Sequence, residues 1–135
     1  MTTHTMTDKK SANVLLAHGS RDPQWQAPFE VIAERIKSKD QENKTKDDAT
    51  RIELSFMELS EPSLESTCHT LMKDGYKEIN VYPIFFAAGR HLRVDVPKQL
   101  QEIEEKLGIT THLHPPVGQE EIVQDAITKV ILKQI

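Results

Sequence analysis

The hydrophobic positions of this chain fall into short apolar runs and helical stripes that alternate along its length. "NVLLA", Asn13 to Ala17, is a continuous apolar run that stops at the turn-forming cluster "HGSRDP", which predicts a buried strand feeding a loop. Trp25, Phe29, Ile32 and Ile36 recur at helical spacing. They predict an amphipathic helix with Pro28 in or near its first turn, where a missing N–H costs little. "SKDQENKTKDDAT", residues 38–50, carries charge without periodicity and predicts a solvated surface loop. In "RIELSFMEL", Ile52, Leu54 and Phe56 alternate as in a second strand. "SEPS" follows, with Ser60 as the expected cap of a helix whose stripe is Leu64, Cys68, Leu71 and Met72 and whose end is Gly75.

"EINVYPIFF" reads as a third strand. After it comes "AAGRHLR", then a helix expected to be capped by Asp95, with Pro97 in its first turn, Val96, Leu100, Ile103 and Leu107 on one face, and Gly108 at its end. "ITTHLH" predicts a short fourth strand, and "QEEIVQDAITKVILKQI" a last amphipathic helix with Ile122, Ala126 and Val130 turned inward. The order βαβαβαβα predicts one α/β domain over residues 13–135. Its four-stranded parallel sheet would have right-handed crossovers and helices on both faces, behind a disordered segment at residues 1–12.

Composition narrows the class. At 135 residues and 37% apolar content there is material for one core and no room for a second domain. A net charge of -4 argues against blanket phosphate neutralisation, so no nucleic-acid partner is expected. Cys68 is the only cysteine, which excludes an intrachain disulfide and a four-thiolate zinc site and suits a reducing compartment. The first twelve residues lack the apolar core of a signal peptide, and the longest apolar runs are too short to cross a bilayer. A cytoplasmic protein without a membrane partner is expected.

Ligands of parallel α/β sheets bind beyond the carboxyl ends of the strands. His18 follows the first strand, Glu58 ends the second, His91 lies in the loop after the third and His114 ends the fourth, so these four groups are expected at one edge. A lone imidazole after a strand is ordinarily structural or solvated. Two from the same edge with a carboxylate suit a divalent metal of borderline softness and proton transfer near neutral pH. Gly19 and Gly89 flank the two histidines and would let a large flat ligand approach the backbone. Arg21, Arg90, Arg93 and Lys98 gather near the same loops of an otherwise acidic chain, as a rim for carboxylates or phosphates. Ser20 in "AHGSR" lacks the nucleophile elbow of serine hydrolases, and no Walker or G-x-G-x-x-G loop is present for a nucleotide-binding signalling domain. Cys68 and His69 are helix neighbours whose side chains diverge, which makes Cys68 a core residue, whereas His112 and His114 have the spacing of a local strand chelate.

"LLAHGSRDPQW", "FMELSEPSL" and "VYPIFFAAGRHLRVDVP" occur in an order that resembles the short form of the CbiX family of sirohydrochlorin chelatases, over roughly Asn13 to Leu132. The fourth loop, "HPPVGQEEIV", departs from that pattern in carrying its histidines before Gly118. The resemblance implies a chelatase-like, flavodoxin-like α/β fold. It also implies insertion of Co²⁺ or Fe²⁺ into sirohydrochlorin without ATP or a prosthetic group, toward cobalamin or sirohaem. Short members resemble half of a two-domain chelatase, which implies a homodimer. The family's two metal-handling histidines fall on His18 and His91 and its acidic position on Glu58. Gly19, Ser20, Arg21, Gly89, Arg90, Arg93 and Lys98 are the expected substrate contacts. The rival reading is a non-catalytic metal carrier or sensor using the same two histidines.

Overall fold

The computed structural model describes residues 10–42, 44 and 50–135. Four strands, β1 (Ser11–Ala17), β2 (Ile52–Phe56), β3 (Glu78–Pro83) and β4 (Thr110–Leu113), alternate with helices α1 (Pro23–Glu42), α2 (Leu64–Lys73), α3 (Val96–Leu107) and α4 (Glu121–Leu132). The sheet is parallel with order β2-β1-β3-β4. β1 is therefore central, and the chain steps outward from it to β2 on one side and to β3 and β4 on the other.

Alternation along β1 and β3 divides the core. Val14, Leu16, Ile79 and Val81 point to one face and pack with Leu64, Cys68 and Leu71 of α2 and Leu100 and Ile103 of α3. Leu15 and Ile52 point to the other face and meet Ala33 of α1. Burial of Cys68, with Glu65 nearby, pushes its thiol up to about 12. Gly108 ends α3 in the left-handed region at φ 67, and Gly75 follows α2 at φ 97.

Several local expectations are corrected. β1 begins at Ser11, so Ser11 and Ala12 leave the segment expected to be disordered, and Ala12 is fully buried. Residues 1–9 lie outside the described residues. Helix α1 starts at Pro23, with the Asp22 carboxylate accepting the Gln24 N–H at 3.0 Å, so Pro28 is its sixth residue rather than part of its first turn. The helix also runs on through Ser38–Glu42, which the charge pattern had predicted as loop. Paired charges at helical spacing hold that end: Lys44 sits 2.7 Å from Asp40, whose carboxyl it holds below the usual range. Ser63, not Ser60, caps α2, its hydroxyl accepting the Ser66 N–H at 3.1 Å.

The largest departure is at the surface. The stripe Trp25, Ile32, Ile36 is exposed, and α4 has no buried residue, with Ile122 77% and Val130 59% accessible instead of turned inward. Periodicity established the helices but not what they face. We expect Cys68, shut in the core, to resist DTNB at pH 8 in native protein and to react within seconds in 6 M guanidinium. Rapid labelling of the native chain would show that the core between α2 and the sheet is open.

Candidate functional site

The helix after β1 lies on one face and the helix after β3 on the other, so the carboxyl ends of these adjacent strands diverge into a crevice. The last register pair is Leu16 with Pro83, and the Ile84 N–H donates to the Leu16 carbonyl at 2.8 Å. Beyond it His18 and Phe85 leave the sheet side by side, their rings stacked with centroids 4.2 Å apart and planes at 22°. The Trp25 indole N–H donates to the His18 carbonyl at 3.1 Å. The buried Phe85 ring thus supports one face of the imidazole, while His18 remains solvent-accessible.

His91 opens a π-helical turn, His91–Asp95, that runs directly into α3. Its Nδ1 lies 2.8 Å from Oδ2 of Asp95. Asp95 is therefore no helix cap: its backbone is helical (φ -71, ψ -43), and its carboxylate is engaged with the imidazole. Donation of Nδ1–H to this carboxylate fixes the tautomer and leaves the Nε2 lone pair outward. Asp95 is the residue that sequence reasoning missed. Its only signal was the four-residue spacing from His91, in a D-x-P context that reads equally well as a cap.

Glu58 lies on the exposed loop after β2, beside the His18 loop. Among the described residues no three His, Cys, Asp or Glu side chains converge as a metal-holding set, so Glu58 does not complete a preformed triad with the histidines. His114 is not at the crevice edge. It stacks on Tyr82 at 4.2 Å and lies 3.3 Å from Oδ1 of Asn80, tied into the sheet face covered in part by α1. His112 pairs with Glu78, the first residue of β3, at 3.0 Å, so the two histidines are engaged separately and not as a chelate.

The loops pack on each other closely. A Cβ on Gly19 would stand 1.5 Å from the Glu58 carbonyl oxygen, so the space left by this glycine is filled by protein rather than held open for a ligand. The Ser60 hydroxyl locks the same junction, accepting the Ser20 N–H at 2.9 Å and donating to the Ser20 carbonyl at 2.6 Å. Leu59, at φ 64, holds strained left-handed backbone in this loop. Gly89, in contrast, faces open space and a backbone conformation open to any residue. Arg21, Arg90 and Lys98 make no ion pair or side-chain hydrogen bond among the described residues, whereas Arg93 is folded back with Nε donating to the Ala88 carbonyl at 3.1 Å.

Below the histidine loops lies an apolar cavity of about 480 Å³, walled by His18, Trp25, Phe29, Phe85, Phe86 and Gly118. Phe86 is 72% accessible, a flat apolar surface at the mouth. An apolar, aromatic-lined cleft with the His18 imidazole in its wall suits a large flat ligand.

The CbiX family model matches residues 12–134. The chain belongs to the CbiX family. It is 30% identical over 114 residues to the sirohydrochlorin cobaltochelatase of Sulfurisphaera tokodaii, covering 84% of this chain and 85% of that one. A CbiX protein from Marinobacter aquaeolei superposes with a TM-score of 0.78 at 34% identity, covering 92% and 96% of the two chains. The sirohydrochlorin chelatase SirB from Bacillus subtilis subspecies spizizenii, solved with cobalt, superposes with a TM-score of 0.77 at 25% identity. Here the match covers 92% of this chain and 50% of SirB. The CbiX chain is thus a four-stranded parallel α/β unit that aligns with half of SirB. We expect Gly19→Ala to lower the thermal midpoint by several degrees, since its methyl must displace the Glu58 backbone, whereas Gly89→Ala leaves it within about a degree. Differential scanning fluorimetry reads both; equal midpoints for the two variants would contradict the packing described.

Proposed function

We propose that this CbiX chain is a sirohydrochlorin chelatase. As a cytoplasmic homodimer, it inserts Co²⁺ or Fe²⁺ into the macrocycle without ATP, the metal being a substrate. The observation that carries this reading is the crevice beyond β1 and β3, where His18, stacked on Phe85, lines an apolar, aromatic-walled cavity and the loop after β3 leads on to His91, in a family whose relatives are sirohydrochlorin cobaltochelatases. Insertion requires the macrocycle to lose two N–H protons and the metal to shed water. An imidazole with an outward lone pair can ligate the incoming metal or accept a pyrrole proton. Asp95 would keep His91 in the competent tautomer, and Phe85 would hold the His18 ring against rotation.

Sirohydrochlorin carries many carboxylates, which favours Arg21, Arg90 and Lys98 as rim contacts; Phe86 offers a surface for the ring. Arg93 would have to give up its bond to Ala88 to join them. Glu58, exposed on the loop that packs against Gly19 beside His18, would take or relay protons. Gly89 leaves room for the ring, while Gly19 and Ser20 shape the loop that holds His18.

Metal insertion followed by visible absorbance of sirohydrochlorin with Co²⁺ or Fe²⁺ tests the proposal. His91→Ala should cut turnover about 10²–10⁴-fold, and Asp95→Ala about 10–100-fold, both with metal-free ring binding nearly intact by fluorescence quenching. Arg90→Ala should raise KM with a smaller loss in kcat. Near-normal turnover in His91→Ala would move the chemistry elsewhere. A wild-type chain that binds metal but neither binds nor metallates the ring would be a carrier.

A further inference from the structure

The carbonyls at the end of β1 are braced one after another. The Leu16 carbonyl accepts the Ile84 N–H at 2.8 Å from the β3 side, and the Ala17 carbonyl accepts the Met57 N–H at 2.9 Å from the β2 side. The His18 carbonyl comes next, beyond the last paired residues of both neighbouring strands. A carbonyl in that place would ordinarily bond to water and leave its peptide free to turn. Here it accepts the Trp25 indole N–H at 3.1 Å. A side chain thus carries the bracing of the sheet one residue further, and that residue is the histidine.

The short connection makes the contact possible. Trp25 is the third residue of α1, seven positions after His18, and helical side chains lean back toward the helix N-terminus. The indole therefore lies over the loop that precedes it, with 47% of Trp25 still accessible. The peptide it holds adjoins Gly19, whose missing side chain leaves rotation least restricted. Ser60 fastens the peptide on the other side of that glycine by accepting the Ser20 N–H at 2.9 Å. Between them the two bonds pin the softest point of the loop.

The two histidines are held in different ways. His91 is gripped through its ring, by Asp95 at Nδ1, which leaves one nitrogen for chemistry. Among the described residues nothing hydrogen-bonds the His18 ring, which is located by the Phe85 stack and by its own backbone. Both of its nitrogens are open, and their placement is only as firm as the His18 peptide. Trp25 also walls the 480 Å³ cavity together with His18 and Phe86, and it packs on Phe29 with ring centroids 6.0 Å apart at 54°.

We propose that Trp25 is the positioning residue of His18 and a stacking surface for the flat substrate: its indole N–H fixes the histidine's backbone, and its exposed ring face meets the macrocycle. The proposal rests on the chelatase reading of His18 and adds the residue that sets where this imidazole stands.

Trp25 is the only tryptophan of the chain, so growth of a tryptophan auxotroph on β-(3-benzothienyl)alanine exchanges the indole N–H for sulfur at this position alone. The Trp25→benzothienylalanine protein keeps the shape of the wall and loses the donor. Proton NMR without metal or macrocycle reads the histidine directly. The carbon-bound ring protons of His18, assigned by their absence in His18→Ala, should stand upfield through the Phe85 ring current and move toward ordinary histidine shifts in the isostere. In metal insertion with Co²⁺ the isostere should lose about twofold to tenfold in kcat with KM unchanged, the range of one exchanged hydrogen bond. Trp25→Ala should in addition raise KM about twofold to tenfold through the lost stacking surface. Unmoved His18 resonances, an unchanged kcat in the isostere, or a wild-type KM in Trp25→Ala would each overturn the assignment. Full turnover in His18→Ala would instead overturn the chelatase reading of His18, and the resonances of the isostere would still decide whether Trp25 holds the imidazole.

Discussion

The pairing of β1 with β3 is the constraint on which the rest depends. It joins segments more than sixty residues apart, and every feature of the crevice is referred to it. Because the two strands are neighbours and parallel, their carboxyl ends emerge together; because the helices that follow them go to opposite faces, the chain opens there into a crevice at whose base His18 stacks on Phe85. Burial of Val14, Leu16, Ile79 and Val81 on one side of this pair sets its register, since a slip by one residue would turn these side chains to the wrong face. The core thus fixes the site and reaches it through Phe85, which stacks on His18.

Close loop packing completes the arrangement. Gly19 admits the Glu58 backbone, Gly118 admits that of Phe86, and the Ser60 hydroxyl bridges the Ser20 peptide. The histidines ride on loops braced from both sides, so little ordering is left for the moment of ligand binding. Among the described residues the cations Arg21, Arg90 and Lys98 are not spent on internal pairs. That combination of braced imidazoles and uncommitted positive charge is what a metal-handling site for an anionic macrocycle requires.

Much of the fold was legible in the sequence because it rests on local signals. Short apolar runs marked the four strands, helical spacing marked the four helices, and Gly108 marked a helix end. The place of His18 directly after β1 and of His91 in the segment between β3 and α3 followed from the order of elements. Some local boundaries were misread, such as the start and end of α1 and the cap of α2, but the consequential failures needed a partner distant in sequence. Amphipathicity in α1 and α4 shows that a stripe wants cover, not that the cover lies in the same chain. The role of Gly19 depends on a carbonyl 39 positions away, and local sequence cannot tell a capping Asp95 from one that grips His91. His114 was placed at the edge by its position after β4, but Tyr82 and Asn80 on the neighbouring strand draw it onto the sheet face.

The central claim is that the β1–β3 crevice handles the metal. Crystals soaked in Co²⁺ and measured across the cobalt absorption edge test it directly. The account predicts an anomalous peak within bonding distance of an imidazole nitrogen of both His18 and His91. Cobalt held by His112 or His114 on the sheet face, with the crevice histidines unoccupied, would contradict it.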